Sequence, residues 1–184
     1  MKNRFSFTAR IASVVALALA CWFAASQDAA AQEKQRYSHK PSPGSTRYAQ
    51  THLMDVGDVP GHQVRMAETQ TMYSSNWPIY DGVRVVSARG VLVSDYTDGS
   101  GRAFSYTVQT LETGDKVFLR TEILTHSSAG ADGAKRIGFS SVATLAGGTG
   151  RFKGIRGTLR TTGLTDLKTG TSGIESEGEY WFEK

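Results

Sequence analysis

The sequence predicts an all-β protein of eight antiparallel strands in up-and-down order, an arrangement that an eight-stranded β-barrel would close. Three observations predict it. Runs of β-branched and aromatic residues recur at strand-like lengths, separated by clusters of Gly, Asp, Ser and Thr. Beyond the N-terminal segment, no apolar pattern with a 3.6-residue period reaches helical length. The connections are short, which favours antiparallel pairing of sequence neighbours. Closure into a barrel would remove the exposed edges of such a sheet. It would also enclose an interior of the size that holds one small ligand in other eight-stranded barrels. On pattern alone an open sandwich is the alternative.

The first 31 residues read as a targeting segment. Lys2, Arg4 and Arg10 form a basic start, Ile11 to Ala25 an apolar run, and Ala29-Ala30-Ala31 a small-residue cleavage site before Gln32. The run is shorter than the ~18 residues a spanning helix needs, so the expectation is export, to the periplasm or medium, with no stable membrane insertion after processing. Cys21 raises lipid attachment as an alternative, but Ala18-Leu19-Ala20 matches a lipobox poorly. Cleavage at Ala31 would remove the single cysteine, so stability must come from core and strand pairing rather than disulfides.

The whole chain carries 21 Lys and Arg against 17 Asp and Glu. Processing removes three of the former and Asp28 of the latter, leaving 18 against 16, a net +2. That is too small and too scattered for nucleic acid. His39, His52, His62 and His126 lack ligand spacing and have no cysteine to join them, so no metal site is expected. No cofactor motif is present either. There is no Gly-x-Ser-x-Gly elbow for nucleophilic catalysis.

Residues 32–46, polar with Pro41 and Pro43, read as a flexible linker, and 47–184 as the barrel domain. The predicted strands are Tyr48 to Val56, Gln63 to Tyr73, Val83 to Asp95, Ala103 to Leu111, Lys116 to Thr125, Arg136 to Leu145, Thr158 to Asp166 and Ser172 to Phe182. Thr97 to Gly101 and Glu112 to Asp115 are short enough for hairpin turns, while Ala129 to Gly133 is a longer loop.

Alternation sorts each strand into two faces without saying which faces inward. One face of the third predicted strand reads Val83, Val85, Ser87, Arg89, Val91, Val93, a single Arg among apolar residues. Tyr106 lies between Phe104 and Val108, and Glu122 beside Arg120 between Phe118 and Leu124. The expectation is that Arg89, Tyr106 and Glu122 enter the barrel as a polar cluster able to protonate or orient an oxygenated ligand, with Glu68 a further acid. The alternative is a solvated outer face, where charged residues usually sit. Trp77 and Tyr80, in the loop Tyr73 to Asp81, either cover a cavity mouth or plug it as a satellite core. Tyr180-Trp181-Phe182 places aromatics on both faces of the last strand, core on one side and a subunit contact on the other.

The segment Gly147-Gly148-Thr149-Gly150-Arg151-Phe152-Lys153-Gly154-Ile155-Arg156-Gly157 punctuates the last strands. A P-loop needs Ser or Thr after Gly-Lys, and Gly154 follows Lys153. A dinucleotide fingerprint counted from Gly148 meets Lys153 where Gly is required. The reading is therefore a structural corner between two strands, with Phe152 plugging the barrel end.

This segment resembles the GGTG-x-F-x-x-(A)-R-G signature of the dirigent and allene oxide cyclase superfamily, which includes uncharacterised bacterial members. Ile155 stands where dirigent proteins usually have Ala. The resemblance extends from about Val64 to the C-terminus, with Gly114 to Arg120 similar to a recurrent piece of the bacterial group. It implies the barrel, a trimer, and a cavity for a small hydrophobic or aromatic oxygenated ligand. Relatives steer cyclisation, coupling or isomerisation in such a cavity without a cofactor. A non-catalytic periplasmic binding or structural module is the rival reading.

Overall fold

Ten strands build the domain in the computed structural model, which describes residues 33–42, 46–166 and 170–183. They are β1 (Gln35–His39), β2 (Thr46–Asp55), β3 (His62–Met72), β4 (Ile79–Tyr80), β5 (Val83–Thr97), β6 (Ser100–Leu111), β7 (Lys116–Ala129), β8 (Lys135–Gly148), β9 (Ile155–Asp166) and β10 (Gly170–Phe182). All eight predicted strands are present, most of them longer by a few residues. The targeting segment and Cys21 lie outside the described residues.

The strands form an antiparallel meander in the order β1-β10-β9-β8-β7-β6-β5-β3-β2, with the two-residue β4 paired to β5. Two expectations are corrected here. First, backbone hydrogen bonds do not close the sheet, because β1 and β2 remain its two edges. Second, part of the predicted linker is a strand. Gln35, Tyr37 and His39 alternate toward the core, and β1 pairs with β10 from Gln35↔Tyr180 to His39↔Ser176. Five residues with one apolar member are too short for sequence periodicity to reveal. Tyr37 nevertheless becomes 6% exposed because β10 and β4 cover it.

The sheet curls so that its two margins meet at one end. The main core joins Tyr37 of β1 and Tyr180 of β10 to Tyr80 of β4 and Val85 of β5, through Leu111, Val117, Leu145 and Ile155 from the strands between. Tyr37 stacks on Tyr80 with centroids 5.2 Å apart, and Tyr180 meets Tyr80 edge-on at 5.4 Å. Burying each such aliphatic or aromatic side chain contributes about 1.5–3 kcal/mol. Side chains thus do the closing that the hydrogen-bond ladder does not.

The glycine-rich segment is the corner that the sequence predicts. Gly150–Phe152 form a single 3-10 turn between β8 and β9, and Gly150 takes φ +52, a left-handed conformation that suits glycine. Thr149 fixes the turn to β7: its N–H donates to the Lys116 carbonyl at 2.9 Å, and its Oγ1 accepts the Lys116 N–H at 2.9 Å. The turn drives Phe152 into the core at 0% exposure. Arg151 reaches outward to the Asp81 carbonyl at 3.0 Å and to the Asp81 carboxylate. Arg156 donates to the carbonyls of Ala146 and Ile155.

Candidate functional site

Beyond the aromatic plug, the concave face changes character. Cross-strand neighbours on this face run Thr71–Ala88–Gln109–Val117, then Thr69–Gly90–Thr107–Leu119, then Ala67–Leu92–Ser105–Thr121. Small and hydroxyl-bearing residues fill these rows because the concave side of a curled sheet has less room than the convex side. The Thr69 and Thr107 hydroxyls converge over Gly90, where a Cβ would meet their oxygens at 2.7 and 3.1 Å. From Ala88 to Tyr96 on β5, Ala103 to Gln109 on β6 and Thr121 to Thr125 on β7, every inward position is uncharged. On β3 the inward set Thr69 and Ala67 continues to Arg65, opposite Ser94 and with its Nε buried and unpaired among the described residues, so the wall is rich in hydrogen-bonding groups and carries one cation toward that end.

Not all of those groups are satisfied. Gln109 is 7% exposed and Ser94 1%, yet Gln109 Oε1 and Ser94 Oγ have no hydrogen-bond partner among the described residues. Burying such an atom unpaired costs about 1–3 kcal/mol, so each one calls for an explanation. By contrast Thr71 pairs its hydroxyl with that of Thr46 at 2.8 Å. Gln109 projects from β6 directly above the plugged end, between Ala88 and Val117.

His39 sits at the β1 margin of the same interior at 9% exposure. A carbonyl can only accept, so His39 Nε2–H donates to Asn76 O at 2.6 Å and Nδ1 is left as the acceptor nitrogen. Burial lowers its pKa from the ordinary 6.5, which keeps the ring neutral at neutral pH. Tyr73 packs edge-on to it at 5.8 Å. Burial pushes the Tyr73 hydroxyl up to about 12 and raises Tyr37 and Tyr80 as well. These phenols stay protonated at neutral pH.

The residues expected inside the barrel lie elsewhere. Arg89, Tyr106 and Glu122 are all exposed on the convex face, Tyr106 at 52%. For Arg89 the reason is a register shift between Val85 and Ser87. Val83 and Val85 face the core, but beyond the bulge the inward set becomes Ala88, Gly90, Leu92 and Ser94, which turns Arg89 and Val91 outward. For Tyr106 and Glu122 the alternation holds, but the opposite face is the buried one, because Leu111 and Leu119 lead that face into the core. Glu68 also belongs to the convex side. Its carboxylate accepts from Arg89 at 2.7 Å and from Gln70 at 3.0 Å, and these bonds, Arg89 first, hold its pKa below the ordinary carboxylate value. An ionised carboxylate in such a pair is not a proton donor at neutral pH.

The aromatic loop resolves into a plug. Tyr80 is fully buried, while Trp77 donates its indole N–H to Tyr73 O at 3.1 Å and carries Arg84 over its ring at 5.0 Å. Trp181 takes Lys34 over its ring at 5.4 Å. An open depression at β1, β9 and β10 is lined by Lys40, Arg160, Glu175 and Glu177 among others, so it is charged rather than apolar. No group of three or more His, Cys, Asp or Glu among the described residues is placed to hold a metal ion.

No family model matches the sequence, and no curated protein matches it. Among solved structures the chain is similar to a pterocarpan synthase dirigent protein, at 17% identity and a TM-score of 0.46, over 83% of this chain and 96% of that one. That likeness concerns the arrangement of strands. The all-β class stands on the observed sheet itself.

Proposed function

We propose that this chain is an exported, barrel-like protein whose concave wall binds a small, partly hydrophobic, oxygen-bearing molecule. The observation that carries the reading is the unpaired Gln109 Oε1 on a wall otherwise built of Thr69, Thr107, Ser105 and Thr121. A ligand hydroxyl donating to Gln109 and accepting from a threonine would remove the desolvation cost of the empty wall. Leu92 and Ile123 supply apolar contact beside these groups, which suits a partly hydrophobic or aromatic ligand. Export rests on the basic and apolar N-terminal pattern.

Steering of a cyclisation or isomerisation belongs to this proposal by resemblance to the dirigent and allene oxide cyclase group. The wall's contribution would then be confinement and orientation of the reacting molecule. Acid–base work by Glu68, Arg89, Tyr106 or Glu122 is not proposed, since these residues stand on the convex face. The rival reading, a structural module, is favoured by the side chains that fill the plugged end.

Native mass spectrometry, with analysis of an organic extract of purified protein, tests the reading. A bound small molecule retained by the wild type and lost in Gln109→Leu is expected. Protein that carries nothing, and takes up no compound from a panel of neutral phenols and polyols, would overturn it.

A further inference from the structure

The convex face holds an ordered group of exposed apolar side chains. Two adjacent cross-strand rows run across it. One is Val93–Phe104–Glu122, the other Val91–Tyr106–Arg120. Phe104 is 48% exposed, Tyr106 52% and Val91 47%. Phe104 and Tyr106 meet edge to face with centroids 6.0 Å apart, and the Arg120 guanidinium lies 5.6 Å from the Tyr106 ring centre. Neither Arg120 nor Glu122 has an ion-pair partner among the described residues. Farther along this face Glu68 pairs with Arg89.

We infer that this face is a two-fold interface with a second copy of the chain. The argument is self-complementarity, which an isologous contact requires. Place a two-fold axis in the plane of contact, perpendicular to the strands and midway between the two rows. Each row then faces the other row of the second copy. Phe104 meets Tyr106, Val91 meets Val93, and Arg120 meets Glu122, each pair occurring twice. Apolar groups oppose apolar groups, and each unmatched charge opposes its counter-charge. The pattern depends on Arg120 and Glu122 being two residues apart on one strand, on the outward side.

The extent of the face agrees. Half-exposed aromatic and aliphatic side chains here offer on the order of 100 Å² each, so the two rows with their neighbours present roughly 600–800 Å². That approaches the ~800 Å² per partner of a standard interface. Two sheets packing face to face, about 10 Å apart, would bury it. This inference is independent of the ligand reading, since the face lies on the other side of the sheet from Gln109.

Analytical ultracentrifugation and light scattering on the purified protein test it. A particle of twice the chain mass is expected at micromolar concentration. Phe104→Asp should weaken association at least tenfold. Arg120→Glu and Glu122→Arg should each weaken it likewise by placing like charges opposite one another, and the double variant should restore it. Circular dichroism checks that each variant folds, and these exposed positions leave the core untouched. A wild type that stays monomeric at 100 µM, as a probe concentration of about that size, overturns the inference. So does a trimer, or an assembly indifferent to Phe104→Asp. Failure of the double variant to recover association would overturn the two-fold register.

Discussion

The Tyr180 hydroxyl accepts the backbone N–H of Asp81 at 2.7 Å, joining the last strand to the β4–β5 turn across 99 positions of sequence. The same hydroxyl donates to Gln35 Oε1 at 2.6 Å. One phenol therefore ties β10, β1 and the turn before β5 together where the hydrogen-bond ladder leaves the sheet open. Arg151 of the glycine-rich corner grips the same Asp81 from another side. The corner and the strand margins form one closure.

Tyr180→Phe keeps the ring contacts and removes both hydrogen bonds. It is expected to cost about 1–3 kcal/mol, because the Asp81 N–H and the Gln35 amide lose a partner. Chemical denaturation of the variant against wild type measures this. An unchanged midpoint would show that the closure rests on ring packing alone.

The tyrosine cluster predicts alkaline unfolding. Burial raises the pKa of Tyr37, Tyr73, Tyr80 and Tyr180 above the ordinary 10.0, Tyr73 to about 12. A raised folded-state pKa means stability fully present below the unfolded value and lost as pH rises through the folded one. Thermal midpoints should therefore fall progressively above pH 10, together with ionised-tyrosine absorbance. Ionisation of all seven tyrosines near pH 10 with the fold intact would contradict the buried cluster.

Gly157 is expected to tolerate no side chain. A Cβ there would meet Glu179 O at 2.3 Å and Tyr180 Cα at 2.8 Å, both backbone atoms of the paired strand. Backbone cannot yield as a flexible side chain can, so Gly157→Ala should cost more than ~3 kcal/mol, in the range of severe core substitutions. Soluble expression and the urea midpoint report it.

His62 clasps the β2–β3 turn to β5. Its Nδ1 donates to Asp58 Oδ1 at 2.6 Å and its Nε2 to Asp95 Oδ1 at 2.8 Å, which requires the doubly protonated ring. The hydrogen bonds to Asp95 and then Asp58 raise the His62 pKa above 6.5, while the bond from His62 lowers that of Asp58 below 3.8. The His62 contribution is complete below pH 6.5 and is lost as pH rises through its raised value. The Asp58 contribution is lost as pH falls through its depressed value. Amide exchange in the 56–61 turn should quicken on going from pH 6 to 8, with intrinsic rates corrected for, and His62→Gln should abolish the difference.

Gln109→Leu separates a binding role from a structural one. Removing an unpaired buried amide in favour of an apolar group of similar length should raise the stability of the empty protein by about 1–2 kcal/mol while abolishing ligand uptake. A destabilised variant would mean that Gln109 holds the wall together and does not serve a ligand.

The period-2 runs and their turn residues determined the strands, because alternation and turn chemistry are local properties of the chain. The corner at Gly150 and the plug at Phe152 were legible for the same reason. Which side of each strand faces inward was not. One residue of register shift between Val85 and Ser87 reverses the face of Arg89, and bulges leave no dependable mark in composition. β1 was also invisible, since Tyr37 is buried only because β4 and β10, distant in sequence, come to cover it. The unpaired Gln109 Oε1 is likewise a tertiary fact. An amide between Val108 and Thr110 acquires its meaning only when the curled sheet withdraws it from water and offers no partner.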